Sequence, residues 1–314
     1  MNQPIVLFPG QGSQVPGMGR DVAEADADAM ELWKKAERIS SLPLREIFWD
    51  GDEAAMSDTR ALQPALTVVN CNLWRLLAGK VEPMGAAGHS LGEFSALAAA
   101  QALSLDDALA ITSLRGRLMA EADPEGRGVM AAIVRLDEDT TAGIVEEAAR
   151  ESGELLLIAN YNTPAQFVIS GTRAAVDAAT ARTKAARGRA IVLKVSGAFH
   201  SPMMEEANKE LAPVLKKADW RNPRFPVWCN LDAQPATNGE AAREKLLAQM
   251  VSPVRWTDTV RGQYAAGARS WLEIGPKAVL GKMVKACLDG VAAEGEDLPA
   301  GIVSDLESAR SFTL

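Results

Sequence analysis

Gly88-His89-Ser90-Leu91-Gly92 carries the strongest chemical signal in the chain, a serine bracketed by glycines as G-x-S-x-G. Its flanks give the pattern meaning. Residues 84–87 read as a short small-residue strand, and residues 93–103 as a helix rich in Ala and Leu. A sharp strand-to-helix turn exposes a serine hydroxyl at the edge of a sheet, and the glycines allow close backbone approach. The Leu91 amide, at the start of that helix, would point toward a developing oxyanion. Without those flanks the serine would be an ordinary member of a glycine-rich turn.

A serine hydroxyl is a weak nucleophile until a base takes its proton, and the chain has 2 histidines, His89 and His200. Neighbouring side chains on a tight elbow diverge, so His89 should not reach Ser90. His200 remains. It lies in Ser196-Gly197-Ala198-Phe199-His200-Ser201-Pro202, past a strand and before a helix, where a loop can present it at the sheet edge. A capping or packed histidine is the alternative. Serine before histidine suits an α/β-hydrolase-like scaffold. Many acids could orient the imidazole, and none stands out.

Two further groups lie near these in character. Phe8-Pro9-Gly10-Gln11-Gly12-Ser13-Gln14 follows the first strand, and its amides could face a ligand, although any βα turn would look similar. Arg115 has Thr112, Ile111, Ala108, Leu118 and Met119 as helical neighbours, a largely apolar stripe. A desolvated arginine needs an anionic partner, so Arg115 is a candidate for a two-pronged hold on a carboxylate. A snorkelling or structurally paired arginine would leave the same pattern. Arg117, four residues before Glu121, fits a wet surface pair.

The elements that must hold these groups alternate strand and helix in the first half, as in a parallel sheet covered by helices. Ile5–Phe8 reads as a strand stopped by Pro9-Gly10, and residues 62–77 as a helix. Ser104 and Asp107 suggest a capping box for a helix from Leu105 to about Ala122. From Gly126 the order becomes strand 129–136, helix 138–152, strands 155–160 and 166–170 around Asn162-Thr163-Pro164, helix 173–187 and strand 190–195. That β-α-β-β-α-β order is ferredoxin-like. The expected fold class is therefore α/β. A large α/β-hydrolase-like domain with a parallel sheet takes residues 1–125 and 197–314, and an inserted small ferredoxin-like α+β domain takes 126–196. Helix 202–218, strand 226–229, helix 240–251 and strand 270–274 return to the large domain, and residues past about Gly290 carry little signal.

Composition narrows the function. The 314 residues are 47% hydrophobic and 24% charged, an ordinary globular balance. No apolar run approaches the roughly 20 residues of a membrane span, and no secretory signal is read at the start, so a cytoplasmic protein is expected. A net charge of −8 argues against nucleic acid as a partner. Cys71, Cys229 and Cys287 are odd in number and far apart, which suits reduced thiols, and no spaced Cys/His cluster suggests a metal.

Taken together, FPGQGSQ at 8–14, QPAL at 63–66, GHSLGE at 88–93, RGRLM at 115–119, NYNTPAQFVISG at 160–171, GAFHSP at 197–202 and SPVRW at 252–256 resemble one family. It is the malonyl-CoA:acyl carrier protein transacylases of fatty acid synthesis, with the related acyltransferase domains of polyketide synthases. The resemblance implies a malonyl ester on Ser90, with His200 as its base. It implies an oxyanion hole of the Gln11 and Leu91 amides, and malonate held by Arg115. It further implies that the Gln249 main-chain carbonyl orients His200, that Gln63 and Asn160 belong to the pocket, and that Phe199 marks malonyl selectivity. Arg135 departs from the glycine common in relatives. No cofactor is implied; the partners would be malonyl-CoA and holo acyl carrier protein, met by a monomer. Carrier proteins of such pathways are acidic, so Arg182, Lys184, Arg187, Arg189 and Lys194 are either a docking patch or a solvated face. A serine hydrolase or thioesterase, a transferase serving a polyketide assembly line and a non-catalytic carrier-binding subunit are the competing readings.

Overall fold

The computed structural model describes residues 3–313. Their strands are β1 (Ile5–Phe8), β2 (Gly85–Gly88), β3 (Gly128–Val134), β4 (Leu156–Thr163), β5 (Gln166–Thr172), β6 (Arg189–Val192), β7 (Val227–Trp228), β8 (Pro235–Ala236), β9 (Trp271–Ile274) and β10 (Ala300–Val303). They form two sheets, one of order β10-β9-β1-β2-β7-β8 and one of order β4-β5-β3-β6. The first is parallel from β10 to β7, with β8 antiparallel at its edge. β1 is apolar at every position and buried throughout, as a central strand covered on both faces must be. Among the described residues no helix is long and apolar enough to cross a membrane.

β2 begins and ends on glycine because no side chain fits at either end. A Cβ on Gly85 would lie 2.4 Å from the Trp228 ring, and one on Gly88 1.9 Å from the Gly92 carbonyl carbon. The helices Thr59–Leu77 and Gly92–Ala99 pack against this sheet, and helix Leu105–Glu121 packs in turn on Thr59–Leu77. The second sheet is antiparallel throughout, and helices Glu138–Ser152 and Arg173–Ala185 belong to its β-α-β-β-α-β order. Alternation along β3 splits two cores. Val129, Ala131 and Ile133 join the small sheet's own apolar cluster, while Met130 and Ala132 join the large one. Tyr161 N donates to Val254 O and Val254 N to Ala159 O, which ties β4 to the segment that precedes helix Trp256–Ala265.

Several expectations change in detail. The helix after Ser90 stops at Ala99, and Gln101 turns the chain at φ 59°. Ser104 does cap the next helix by accepting from Asp107 N, but the Asp107 carboxylate accepts the Ser104 hydroxyl instead of its backbone amide. The capping box is therefore half made. β4 and β5 run on to leave Pro164-Ala165 as the turn. Residues 202–218 break into a 3-10 turn, Pro202–Met204, and helix Glu205–Lys217. Beyond Gly290, where little was legible, β10 extends the sheet beside β9 and helix Leu306–Ser311 opens on an Asp305 capping box. Cys71, Cys229 and Cys287 are free and buried.

Candidate active site

Ser90 sits between β2 and helix Gly92–Ala99 with φ 50°, in the left-handed region. That backbone costs a non-glycine residue about 1–2 kcal/mol, so its surroundings must hold it there. Ser90 N donates to Asn230 Oδ1 at 2.6 Å, and Ser90 O accepts from Gln249 Nε2 at 2.9 Å and from Glu93 N at 3.1 Å. Gly92 is required by close approach, because a Cβ there would fall 1.9 Å from the Phe8 carbonyl oxygen.

Ser90 Oγ and His200 Nε2 are 2.7 Å apart. His200 also has positive φ, 55°. Its Nδ1 lies 3.1 Å from Gln249 O and 3.0 Å from Ser252 O. Carbonyl oxygens only accept, so Nδ1 carries the proton and Nε2 presents its lone pair to the Ser90 hydroxyl. Burial, then the charge of Arg115, then His89, lower the His200 pKa to about 3, which keeps the imidazole neutral. His89 turns the other way, placing Nε2 2.8 Å from Asn162 Oδ1 and its ring 5.4 Å from that of Trp256.

Arg115 is 1% exposed. Its Nη1 donates to Gln63 Oε1 at 2.9 Å, and its Nη2 to Ser90 Oγ at 3.2 Å and Gln249 Oε1 at 3.1 Å. Nε has no partner among the described residues, and the guanidinium lies 5.6 Å from the Phe94 ring centroid. All three acceptors are neutral. Burial lowers the Arg115 pKa to about 10, with Glu93 opposing the shift. The anionic partner expected for a desolvated arginine is thus not a hydrogen-bonded side chain. A carboxylate carried on an acyl group at Ser90 would meet a charge that the fold leaves unpaired. Arg117 does pair with Glu121, at 3.2 Å and exposed.

The loop after β1 is drawn against the elbow. Asn70 Nδ2 donates to Pro9 O at 3.1 Å, His89 N to Phe8 O at 3.0 Å and Ser13 Oγ to Gly10 O at 2.7 Å. A Cβ on Gly10 would stand 2.5 Å from His89 O, so the two turns touch there. Neither Gln11 N nor Leu91 N donates to an acceptor among the described residues. The Leu91 amide follows the nucleophile directly and the Gln11 amide lies on the loop that touches the elbow at Gly10; free amides converging on a nucleophile can stabilise an oxyanion. Gln63 reaches the group through Arg115, and Phe199 is buried next to His200. Asn160, by contrast, forms no side-chain hydrogen bond with the group; its backbone bridges to Val254, and Asn162 is the asparagine of that strand that contacts the elbow, through His89.

Asn230, Glu93 and the Ser252 carbonyl were missed by sequence reasoning. Glu93 and Ser252 fall within the quoted motifs GHSLGE and SPVRW without a role being read for either, and Asn230 left no trace. Burial raises the Glu93 pKa, against hydrogen bonds from Gln249 and Asn230. The basic cluster is thinner than the sequence suggests. Arg182 is ion-paired with Glu147 and Glu151, and Lys194 Nζ lies 3.9 Å from Glu53 Oε1, which leaves Lys184, Arg187 and Arg189 as the exposed members without an ion pair among the described residues. No group of three or more His, Cys, Asp or Glu among the described residues could hold a metal ion.

Comparison with known proteins finds likeness to acyl transferases. The acyl transferase domain model matches residues 5–310. The malonyl CoA-acyl carrier protein transacylase of Escherichia coli K12 is 38% identical over 311 residues, covering 98% of this chain and 100% of that protein. The Bacillus subtilis 168 protein of the same name is 39% identical over 288 residues, 91% of this chain and 90% of its own. A malonyl-transacylase solved in complex with its type II polyketide synthase acyl-carrier protein superposes with a TM-score of 0.90 at 35% identity, covering 98% of each chain. An acyl carrier protein S-malonyltransferase from Vibrio cholerae gives 0.89 at 34% identity, covering 98% of this chain and 99% of that one.

The depressed His200 pKa has an observable consequence. An ordinary histidine loses its lone pair as pH falls through about 6.5, whereas His200 should remain a base well below that value. The modification rate of Ser90 by a serine-directed fluorophosphonate, per folded molecule, should therefore show no step near pH 6.5. A half-maximal loss there would contradict the buried, neutral base. Stability has the opposite dependence. The unfolded chain takes up this proton below about pH 6.5 and the folded chain does not, so this contribution is full above that pH and shrinks below it.

Proposed function

The chain belongs to the acyl transferase domain family, and from that premise we propose how its own residues carry out the transfer. It is an acyltransferase with the activity its relatives are named for, moving malonyl from malonyl-CoA to acyl carrier protein in fatty acid synthesis. Arg115 carries the finer reading: a buried guanidinium with neutral acceptors only, its Nη2 3.2 Å from Ser90 Oγ.

Ser90 Oγ attacks the thioester carbonyl of malonyl-CoA while His200 Nε2 takes the hydroxyl proton. The Gln11 and Leu91 amides hold the oxyanion. Collapse breaks the C–S bond, His200 returns the proton to the CoA sulfur, and malonyl remains as an ester on Ser90 with its carboxylate on Arg115. In the second half the phosphopantetheine thiol gives its proton to His200 and attacks the ester, and Ser90 recovers a proton as it leaves. The carbonyls of Gln249 and Ser252 fix the imidazole throughout. Substrate carboxylate beside Arg115 offsets that residue's charge, which makes His200 a stronger base when it is needed. Gln63 holds the guanidinium, and Phe199 bounds the space beside His200. Asn160 is left as an outer pocket residue.

We read the frame, 1–125 and 197–314, as α/β-hydrolase-like and the insert, 126–196, as a ferredoxin-like domain whose strand order supports that description. All of these residues come from one chain, so a monomer suffices for the proposed reaction, and none of its steps calls for a cofactor; a cytoplasmic setting belongs to the same proposal. Lys184, Arg187 and Arg189, beside the exposed Ile191 and Val192, offer an acidic carrier protein a basic edge.

Arg115→Ala should lower kcat/KM for malonyl-CoA at least about a hundredfold and change acetyl-CoA turnover no more than a few-fold. Equal losses on both substrates would remove Arg115 from carboxylate recognition. Lys184→Glu combined with Arg187→Glu should raise KM for holo carrier protein roughly tenfold and leave KM for malonyl-CoA alone. An unchanged carrier KM would move the docking surface elsewhere.

A further inference from the structure

A single carboxyl oxygen stands behind both halves of the site. Glu93 Oε2 accepts from Asn230 N at 3.1 Å and from Gln249 Nε2 at 3.0 Å. Each of those residues then reaches a group that acts on the acyl chain. The Asn230 amide spans the elbow, accepting from Ser90 N at 2.6 Å through Oδ1 and donating to Gly88 O at 2.7 Å through Nδ2. Both ends of that amide are used, so its orientation is fixed. Gln249 is fixed in the same way. Its Nε2 donates to Glu93 Oε2 and to Ser90 O, which leaves Oε1 to accept from Arg115 Nη2 at 3.1 Å.

We infer that Glu93 and Asn230 are positioning residues, and that Glu93 ties the nucleophile's strained elbow to the aim of the carboxylate-binding arginine. The inference rests on the reading of Ser90 and Arg115 given above. Asn230 acts on one half only, since its side chain touches the elbow and not the guanidinium. Glu93 acts on both. If its acceptor is removed, Asn230 N loses its acceptor and Gln249 loses one of the two acceptors, Glu93 Oε2 and Ser90 O, that together select its amide orientation. A flipped Gln249 would present NH2 to Arg115, a donor facing a donor, and the guanidinium would turn away from the position that meets malonate.

Glu93 lies directly after the motif Gly88–Gly92, one helical turn past the nucleophile, so no loop movement is needed to keep the three groups in register. It is 1% exposed, and its other oxygen, Oε1, has no partner among the described residues. A residue kept only for packing would not need a polar atom there. The function argued here is that of Oε2 as an acceptor, which an amide oxygen in the same place can also perform.

The test compares wild type, Glu93→Met, Glu93→Gln and Asn230→Ala by rapid-quench acylation with malonyl-CoA and, separately, acetyl-CoA, normalised to folded protein. Glu93→Met should slow malonyl acylation by roughly a hundredfold and shrink the malonyl-over-acetyl preference by roughly tenfold. Glu93→Gln, which preserves the acceptor, should restore the preference to within about threefold of wild type. Asn230→Ala should slow both substrates alike and leave the preference intact. A preference that survives Glu93→Met, or one that Glu93→Gln fails to restore, would overturn the inference; the glutamine variant keeps the question answerable if the methionine variant does not fold. Wild type separates this inference from its premise. If wild type shows no malonyl preference, the reading of Arg115 fails first; a wild-type preference unmoved in Glu93→Met refutes only the role of Glu93.

Discussion

Removing a guanidinium from water costs several kcal/mol unless an anion and full hydrogen bonding replace the lost hydration. Arg115 receives only part of that compensation. Two glutamine oxygens and the Ser90 hydroxyl accept from it, Nε is left over, and no carboxylate among the described residues hydrogen-bonds to it. The fold therefore holds a cation without a hydrogen-bonded counter-ion, and the proposed reading has the substrate carboxylate supply it. Much else follows from that one unbalanced charge. It lowers the His200 pKa and so helps keep the imidazole neutral, and on the proposed reading a malonyl carboxylate would offset it. Stability given up at such a position is a common mark of a functional site.

Hydrogen-bond direction does the rest of the organising. Carbonyls of Gln249 and Ser252 can only accept, so they set the imidazole tautomer without any carboxylate. The Gln249 residue thus serves through its main chain on His200 and through its side chain on Ser90 and Arg115. Ser90 and His200 both adopt positive φ, and each is fixed by partners from distant parts of the chain. The parallel sheet supplies the common edge on which these turns converge, and the small-residue strand β2 lets the elbow pack against the loop after β1.

Legibility in the sequence followed the range of each interaction. Ser90 was readable from local pattern, and His200 because only 2 histidines exist. Arg115 was readable from its apolar helical stripe, although the stripe could not say that its partners would be amides. The contact of the Gln249 carbonyl with His200 was expected through family resemblance alone, since no local feature marks it. Asn230 and Glu93 escaped because their contacts span 140 positions to Ser90 N and 156 to Gln249. Among the elements, helix Glu138–Ser152 was read to the residue, where an Asp137 cap and an acidic first turn mark its start. The last strand, β10, was not read. It is a four-residue run of Ala, Gly, Ile and Val whose strand character comes from pairing with β9.

Intact-mass spectrometry after brief mixing with malonyl-CoA, then with holo acyl carrier protein, tests the central claim most directly, with Ser90→Ala run alongside. The account predicts a malonyl adduct on the wild-type chain only, and its movement onto the carrier protein. An adduct released to water as free malonate in the presence of carrier protein would make the chain a hydrolase. The absence of any adduct, or an adduct that persists in Ser90→Ala, would contradict Ser90 as the residue that carries the acyl group.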